Sequence, residues 1–160
     1  MRQSSSSREK WDLRYLNLAE HVSSWSKDPS TKVGAVITDT DNHILSIGFN
    51  GFPRGVEDTI ERLENRETKY ALVVHAERNA LLFAGQPVKG SRLYTWPFMP
   101  CSVCAGMVIQ AGVTEVIAPY SDNPRWQQSF ALTEMMFQEA GVRLSLYLPK
   151  EEEKCQTLTV

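Results

Sequence analysis

The stretch SRLYTWPFMPCSVCAGMVIQAGVTEVIAPY, residues 91–120, decides the fold. Residues 91–96 are rich in aromatic and β-prone side chains and read as a strand. Residues 97–100 form a stiff, proline-bounded turn. Residues 101–111 read as a helix closed by Gly112, a residue suited to the end of a helix. Residues 113–118 are again a short apolar strand. Downstream, a loop over 120–126 leads into a helix from about Arg125 to Ala140, closed by Gly141, and a last strand spans 142–148. Strands alternating with helices through short connections imply right-handed crossovers and parallel pairing.

Upstream, residues 75–84 carry a strong helical pattern with Gly85 at the end. Residues 56–69 are rich in charge and suit a short exposed helix or a long loop, after which 71–74 bring the chain back inside. Residues 33–38 and 44–48 are two short strands around the turn chemistry of 39–42, a hairpin. Trp11, Tyr15, Leu18, Val22 and Trp25 recur at spacings of three and four, which predicts an amphipathic helix with its aromatic stripe in the core. The expected architecture is α/β in three α/β/α layers, a mixed five-stranded sheet with helices on both faces. Residues 1–9 are expected to be a disordered arm, 10–150 one domain, and 151–160 a tail in which Cys155 is a free thiol.

The chain has 160 residues, 42% hydrophobic and 22% charged, enough apolar material for one core and too much for a disordered chain. A net charge of -2 and a pI near 5.9 leave no field to hold a long nucleic acid by its phosphates. No apolar run approaches the roughly 20 residues that span a bilayer, so no membrane partner is expected. The polar start MRQSSSSREK lacks the apolar core of a secretory signal. Three cysteines, two of them spaced C-x-x-C, argue for metal or redox chemistry in a reducing, cytoplasmic setting.

The chemistry lies in three segments read together. Cys101 and Cys104, three apart on a helix, present both sulfurs on one face. His75, at the start of the neighbouring helix, supplies a third donor. Three protein ligands and one open position are the arithmetic of a catalytic zinc. His21, His43 and Cys155 are poorly placed to close the fourth position. Both ligand groups sit where free N–H groups and a positive helix end favour thiolates. Glu77 cannot easily ligate the same ion from the same turn, but it can lean over the open position and serve first as general base and then as general acid. Trp96 and Phe98 precede the cysteine helix at the end of a strand, where open α/β sheets bind ligands.

His75-Ala76-Glu77 followed by Pro100-Cys101-Ser102-Val103-Cys104 resembles the signature of the zinc-dependent cytidine and deoxycytidylate deaminases. Ser26-Lys27-Asp28-Pro29, Gly48-Phe49-Asn50-Gly51, Lys69-Tyr70 and Ile109-Gln110-Ala111-Gly112-Val113 look like the deoxycytidylate (dCMP) branch, and the resemblance runs from Trp11 to Leu148. It implies one zinc per chain on His75, Cys101 and Cys104, with Glu77 moving protons while water adds at C4 of the cytosine and ammonia leaves. Asn50 resembles the residue that hydrogen-bonds the sugar hydroxyl, and the Ala76 N–H resembles the donor to the pyrimidine carbonyl. Arg54 and Arg125, with Arg78 and Lys32, are the candidate cations for a phosphate. Trp126 either stacks on the base or sugar or anchors the last helix. Arg78 stands where many relatives have leucine, and 122–126 stand where they have a tyrosine-bearing loop. The resemblance further implies a homo-oligomer, dimer or hexamer. It also raises the question of control by dCTP and dTTP through the loop around Asn50 and a neighbouring subunit. The alternatives are another cytosine nucleotide or nucleoside, guanine or tRNA adenosine as substrate, or a nucleotide-binding regulator without catalysis.

Overall fold

The computed structural model describes residues 6–148. β1 (Gly34–Thr38) pairs antiparallel with β2 (Ile44–Phe49) on one side and with β3 (Arg92–Trp96) on the other. β4 (Glu115–Pro119) and β5 (Arg143–Tyr147) then continue parallel to β3, giving the order β2-β1-β3-β4-β5. The mixed sheet is thus the expected one. Its parallel half comes from the crossovers through α5 (Ser102–Gln110) and α6 (Gln127–Ala140).

α1 (Ser7–Ser23) covers one face, where Tyr15, Leu16 and Ala19 meet Val36, Tyr94 and Ile117. α4 (Ala76–Phe83), α5 and α6 cover the other, where Ala76, Ala80, Ala105, Val108 and Phe137 close on Ala35, Ile37, Leu93 and Val116. Alternate residues of β1 serve the two faces, which is why all five are buried. At two points the helices touch the sheet backbone directly. A Cβ on Gly34 would lie 2.0 Å from the Ala19 carbonyl oxygen, and one on Gly48 would lie 2.4 Å from both the Ala76 oxygen and the Ala80 nitrogen.

The expected arm ends earlier than residue 9. Ser6 caps α1, its Oγ accepting from the Glu9 N–H at 3.2 Å, and Ser6 with Glu9 has the spacing of a capping box. The first turn is also tied across the sheet. Buried Asp12 accepts from Arg8 Nε at 2.8 Å, from the Tyr94 hydroxyl at 2.8 Å and from the Tyr147 hydroxyl at 3.1 Å. Arg8 Nη2 also meets buried Glu115 at 2.7 Å. At the other end α1 stops two residues before Trp25, whose ring is half exposed and lies outside the core stripe expected for it. Residues 1–5 and the tail, with Cys155, lie outside the described residues. No helix among the described residues is long and apolar enough to cross a membrane.

The charged segment resolves into two short helices, α2 (Ile60–Glu64) and α3 (Arg66–Leu72). Thr59 and Asn65 cap them, each accepting a backbone N–H three residues on. From α3 the chain reaches Val74, which pairs with Gly51 through two backbone hydrogen bonds of 3.1 and 2.8 Å. That bridge sets Asn50 beside His75.

Candidate active site

Helix N-caps are usually Ser, Thr, Asp or Asn, whose side chains satisfy a free N–H. α4 and α5 depart from this. Their caps are His75 and Cys101, both in extended backbone and neither making a side-chain cap bond. Those side chains turn toward each other instead. His75 Nδ1 lies 3.5 Å from Cys101 Sγ and 3.3 Å from Cys104 Sγ, and the three donor atoms fall within 4.8 Å of one another. Tetrahedral zinc with ordinary Zn–S and Zn–N bonds spaces a nitrogen and a sulfur about 3.6 Å apart, so these donors fit that ion. The start of α5 is held from α6, where Ser129 Oγ accepts the Ser102 N–H at 2.9 Å and Thr133 Oγ1 donates to the Pro100 carbonyl at 2.9 Å.

The two thiols share one charge. Cys101 is pushed down to about 4, first by its hydrogen bond with Cys104 and then by His75, against the opposing effect of burial. Cys104 moves upward because it donates that bond and is buried. His75 is raised, first through Cys101. A cation that replaces the shared proton stabilises both sulfurs as thiolates.

Glu77, in the first turn of α4, is 4% exposed and lines the same cleft as His75 and Cys101. Burial raises its carboxyl above the usual range. Ala76 is fully buried at the first position of α4, where backbone N–H groups lack helical partners.

The cleft is open to solvent and is lined by His75, Glu77 and Cys101 together with Asn50, Phe98 and Trp126. Asn50 lines it and is gripped on every side. Its Oδ1 accepts from Val33 N–H at 2.8 Å, its Nδ2 donates to the Thr31 carbonyl at 2.9 Å, and its own carbonyl accepts from Ser26 Oγ at 2.8 Å. One Nδ2 hydrogen and one Oδ1 lone pair stay free for a ligand. Phe98 and Trp126 wall the opposite side, their rings 5.7 Å apart, with Phe130 packed behind both. Trp126 packs with Phe98 and Phe130 at the start of α6 and also lines the cleft.

Of the expected cations, only Arg125 lines the cleft, its guanidinium 5.2 Å from the rings of both Tyr70 and Trp126. Arg54 does not reach it. Its guanidinium sits 4.8 Å from the ring of Phe83, so the flexible arm has found an apolar surface outside the cleft. Lys32 is exposed outside the lining, and Arg78 is partly buried with its Nε unpaired. Three of the lining residues that escaped the sequence reading are polar or charged and stand out. Lys69, 6% exposed, donates to Asp28 Oδ1 at 3.1 Å and to Ser30 Oγ at 3.2 Å. Asp28 in turn accepts the Ser30 and Thr31 N–H groups at 2.8 and 3.1 Å. Tyr70 is the third. The only signal for them was the likeness of Lys69-Tyr70 and Asp28 to the deaminases, since a charged segment otherwise reads as solvent-exposed.

A family model described as the cytidine and deoxycytidylate deaminase zinc-binding region matches residues 9–119, a span that contains the whole His75, Glu77, Cys101 and Cys104 set. The chain belongs to the cytidine and deoxycytidylate deaminase family. It is 44% identical over 143 residues to an uncharacterized deaminase in the luxG 3′ region of Aliivibrio fischeri, covering 88% of this chain and 95% of that one. It is 38% identical over 146 residues to the deoxycytidylate deaminase of Mus musculus, covering 88% and 81%. Among solved structures it resembles the dCMP deaminase of cyanophage S-TIM5, with a TM-score of 0.68 and 27% identity over 86% of this chain and 98% of that one.

Proposed function

We propose that this deaminase hydrolyses dCMP to dUMP and ammonia, with one zinc ion held by His75, Cys101 and Cys104. The observation that carries this reading is the make-up of the cleft: His75, Cys101 and Glu77 line it together with Arg125, a cation unpaired with any carboxylate among the described residues. That arrangement suits a ligand with a reactive ring at one end and an anion at the other. Relatives called deoxycytidylate deaminases, such as that of Mus musculus at 38% identity, support the same choice.

Zinc bound at the three donors supplies a Lewis acid that activates a water molecule. The chain does the rest. Asn50, through its free amide hydrogen and lone pair, fixes the sugar. The Ala76 N–H meets the pyrimidine carbonyl. Phe98 and Trp126 hold the ring and exclude bulk water. Glu77 passes one of the water's two protons to the ring nitrogen N3 and the other to the leaving nitrogen, which departs as ammonia. Arg125 takes the phosphate.

Four apolar side chains left exposed on α4 and α5, Leu82, Phe83, Val103 and Met107, support self-association into a homo-oligomer, a dimer or hexamer. Light scattering behind a sizing column tests this, and a monomer at micromolar concentration refutes it. The free thiol pair fits a reducing, cytoplasmic setting. Control by dCTP and dTTP through the loop around Asn50 belongs to the same reading, and unchanged dCMP saturation curves with either added would remove it.

The substrate is tested by ammonia release from zinc-loaded protein with dCMP, CMP, dCTP, deoxycytidine, cytidine and guanine in parallel. The reading predicts dCMP as the preferred member by kcat/KM. Preference for a nucleoside or for guanine would overturn the substrate while leaving the chemistry.

A further inference from the structure

Arg125 supplies one positive charge, whereas a phosphate monoester carries close to two negative charges at neutral pH. Lys69 also lines the cleft, but its charge is spent. Its ammonium is buried against Asp28, and turning it to a ligand would strand that carboxylate, itself buried, without a partner.

Arg66 lies just outside the lining, against the lining residue Tyr70. It begins α3, one turn before Tyr70, so the two lie on one helix face. Its Nε donates to the Tyr70 hydroxyl at 3.2 Å and its guanidinium lies 5.4 Å from the Tyr70 ring. Arg125 lies 5.2 Å from that same ring. One tyrosine at the cleft thus gathers two guanidiniums, and neither pairs with a carboxylate among the described residues. Helix stability does not account for Arg66, because a positive charge is disfavoured at the start of a helix.

We infer that Arg66 and Arg125, gathered on the ring of Tyr70, form a two-guanidinium seat for the phosphate dianion of the substrate, with Tyr70 as the positioning residue. This rests on the nucleotide reading above. It adds Arg66 as a second phosphate-binding residue and makes the preference for nucleotide over nucleoside a property of α3. Guanidiniums suit the task because each presents two parallel N–H donors to phosphate oxygens. Tyr70 holds both before the ligand arrives, which lowers the ordering cost of two long side chains.

The test is the ratio of kcat/KM for dCMP to that for deoxycytidine, measured on zinc-loaded wild type, Arg66→Gln, Arg66→Lys and Tyr70→Leu. The seat predicts a fall in this ratio of about tenfold for Arg66→Gln, the size of one charge-assisted hydrogen bond made at a wet surface. The fall comes through the KM for dCMP, because this contact is the same in ground and transition states. Arg66→Lys, which keeps the charge, should fall less, and Tyr70→Leu should fall at least as far as Arg66→Gln because it releases both arginines. A ratio within twofold of wild type for Arg66→Gln, or an equal fall for Arg66→Lys, would overturn the seat. Wild-type protein that turns over deoxycytidine and not dCMP would instead overturn the nucleotide reading beneath it.

Discussion

Gly48→Ala should damage both stability and the metal site, although Gly48 touches neither ligand nor substrate. A Cβ at that position would lie 2.4 Å from the Ala76 oxygen and the Ala80 nitrogen and 3.0 Å from the Ala80 Cα, all backbone of α4. No side chain can swing away, so β2 and α4 must part by about 1 Å to restore ordinary contact. Overpacking of this kind costs about 1–3 kcal/mol, and a backbone-against-backbone clash belongs at the upper end. The contact begins at Ala76, directly after His75, so the shift is delivered to a proposed metal ligand. Ligand distances must hold to about 0.2 Å, and a misplacement of about 1 Å costs about a hundredfold in rate. The assay is urea denaturation together with zinc content after dialysis and the rate of dUMP formation. Gly106→Ala is the control. It lies on the cysteine-bearing helix, has open space where its Cβ would go, and should be neutral or slightly stabilising. A Gly48→Ala protein with the wild-type midpoint, full zinc and full rate would refute the packing argument.

Two further perturbations separate the roles of buried charges. Lys69→Met leaves Asp28 buried and unpaired and should cost about 3 kcal/mol, and adding Asp28→Asn should recover part of it; additive losses in the two-by-two cycle of denaturation midpoints would show that the pair is not coupled. Glu77→Gln should stabilise the metal-free protein at neutral pH. The folded carboxyl is raised by burial, so the native state holds its proton where the unfolded chain has lost it, and stability falls as pH climbs through that window. The gain from Gln is therefore present above the folded value and fades toward about pH 4.5, below which both states are protonated; equal melting temperatures of the two proteins in chelator at pH 8 would contradict this.

The parallel half of the fold was legible because its apolar strands alternate with glycine-closed helices at short intervals. The cluster of His75 with Cys101 and Cys104 was legible because it rests on spacing that the fold preserves. Residues whose roles depend on contacts distant in sequence were not. Arg8 and Glu9 read as part of a serine-rich arm, yet Ser6 caps their helix and Arg8 reaches Glu115 across the sheet. Arg54 sits in a glycine-rich loop next to Asn50 in sequence, yet its long arm lies over Phe83. Lys69 sits in a charged run, and the backbone bridge between Gly51 and Val74, with its own bonds to Asp28 and Ser30, brings it to the cleft. Charge in a sequence says little about which face of the fold it will serve.

The central claim is that a buried carboxylate beside a three-ligand zinc site moves the proton in dCMP hydrolysis. The most direct measurement is dUMP formation by wild type and Glu77→Gln side by side, with zinc content read on the same samples. The account predicts one zinc per chain in both proteins and a rate for Glu77→Gln lower by about a thousandfold, within the range of a lost general acid–base group. Equal rates at equal zinc content would contradict it.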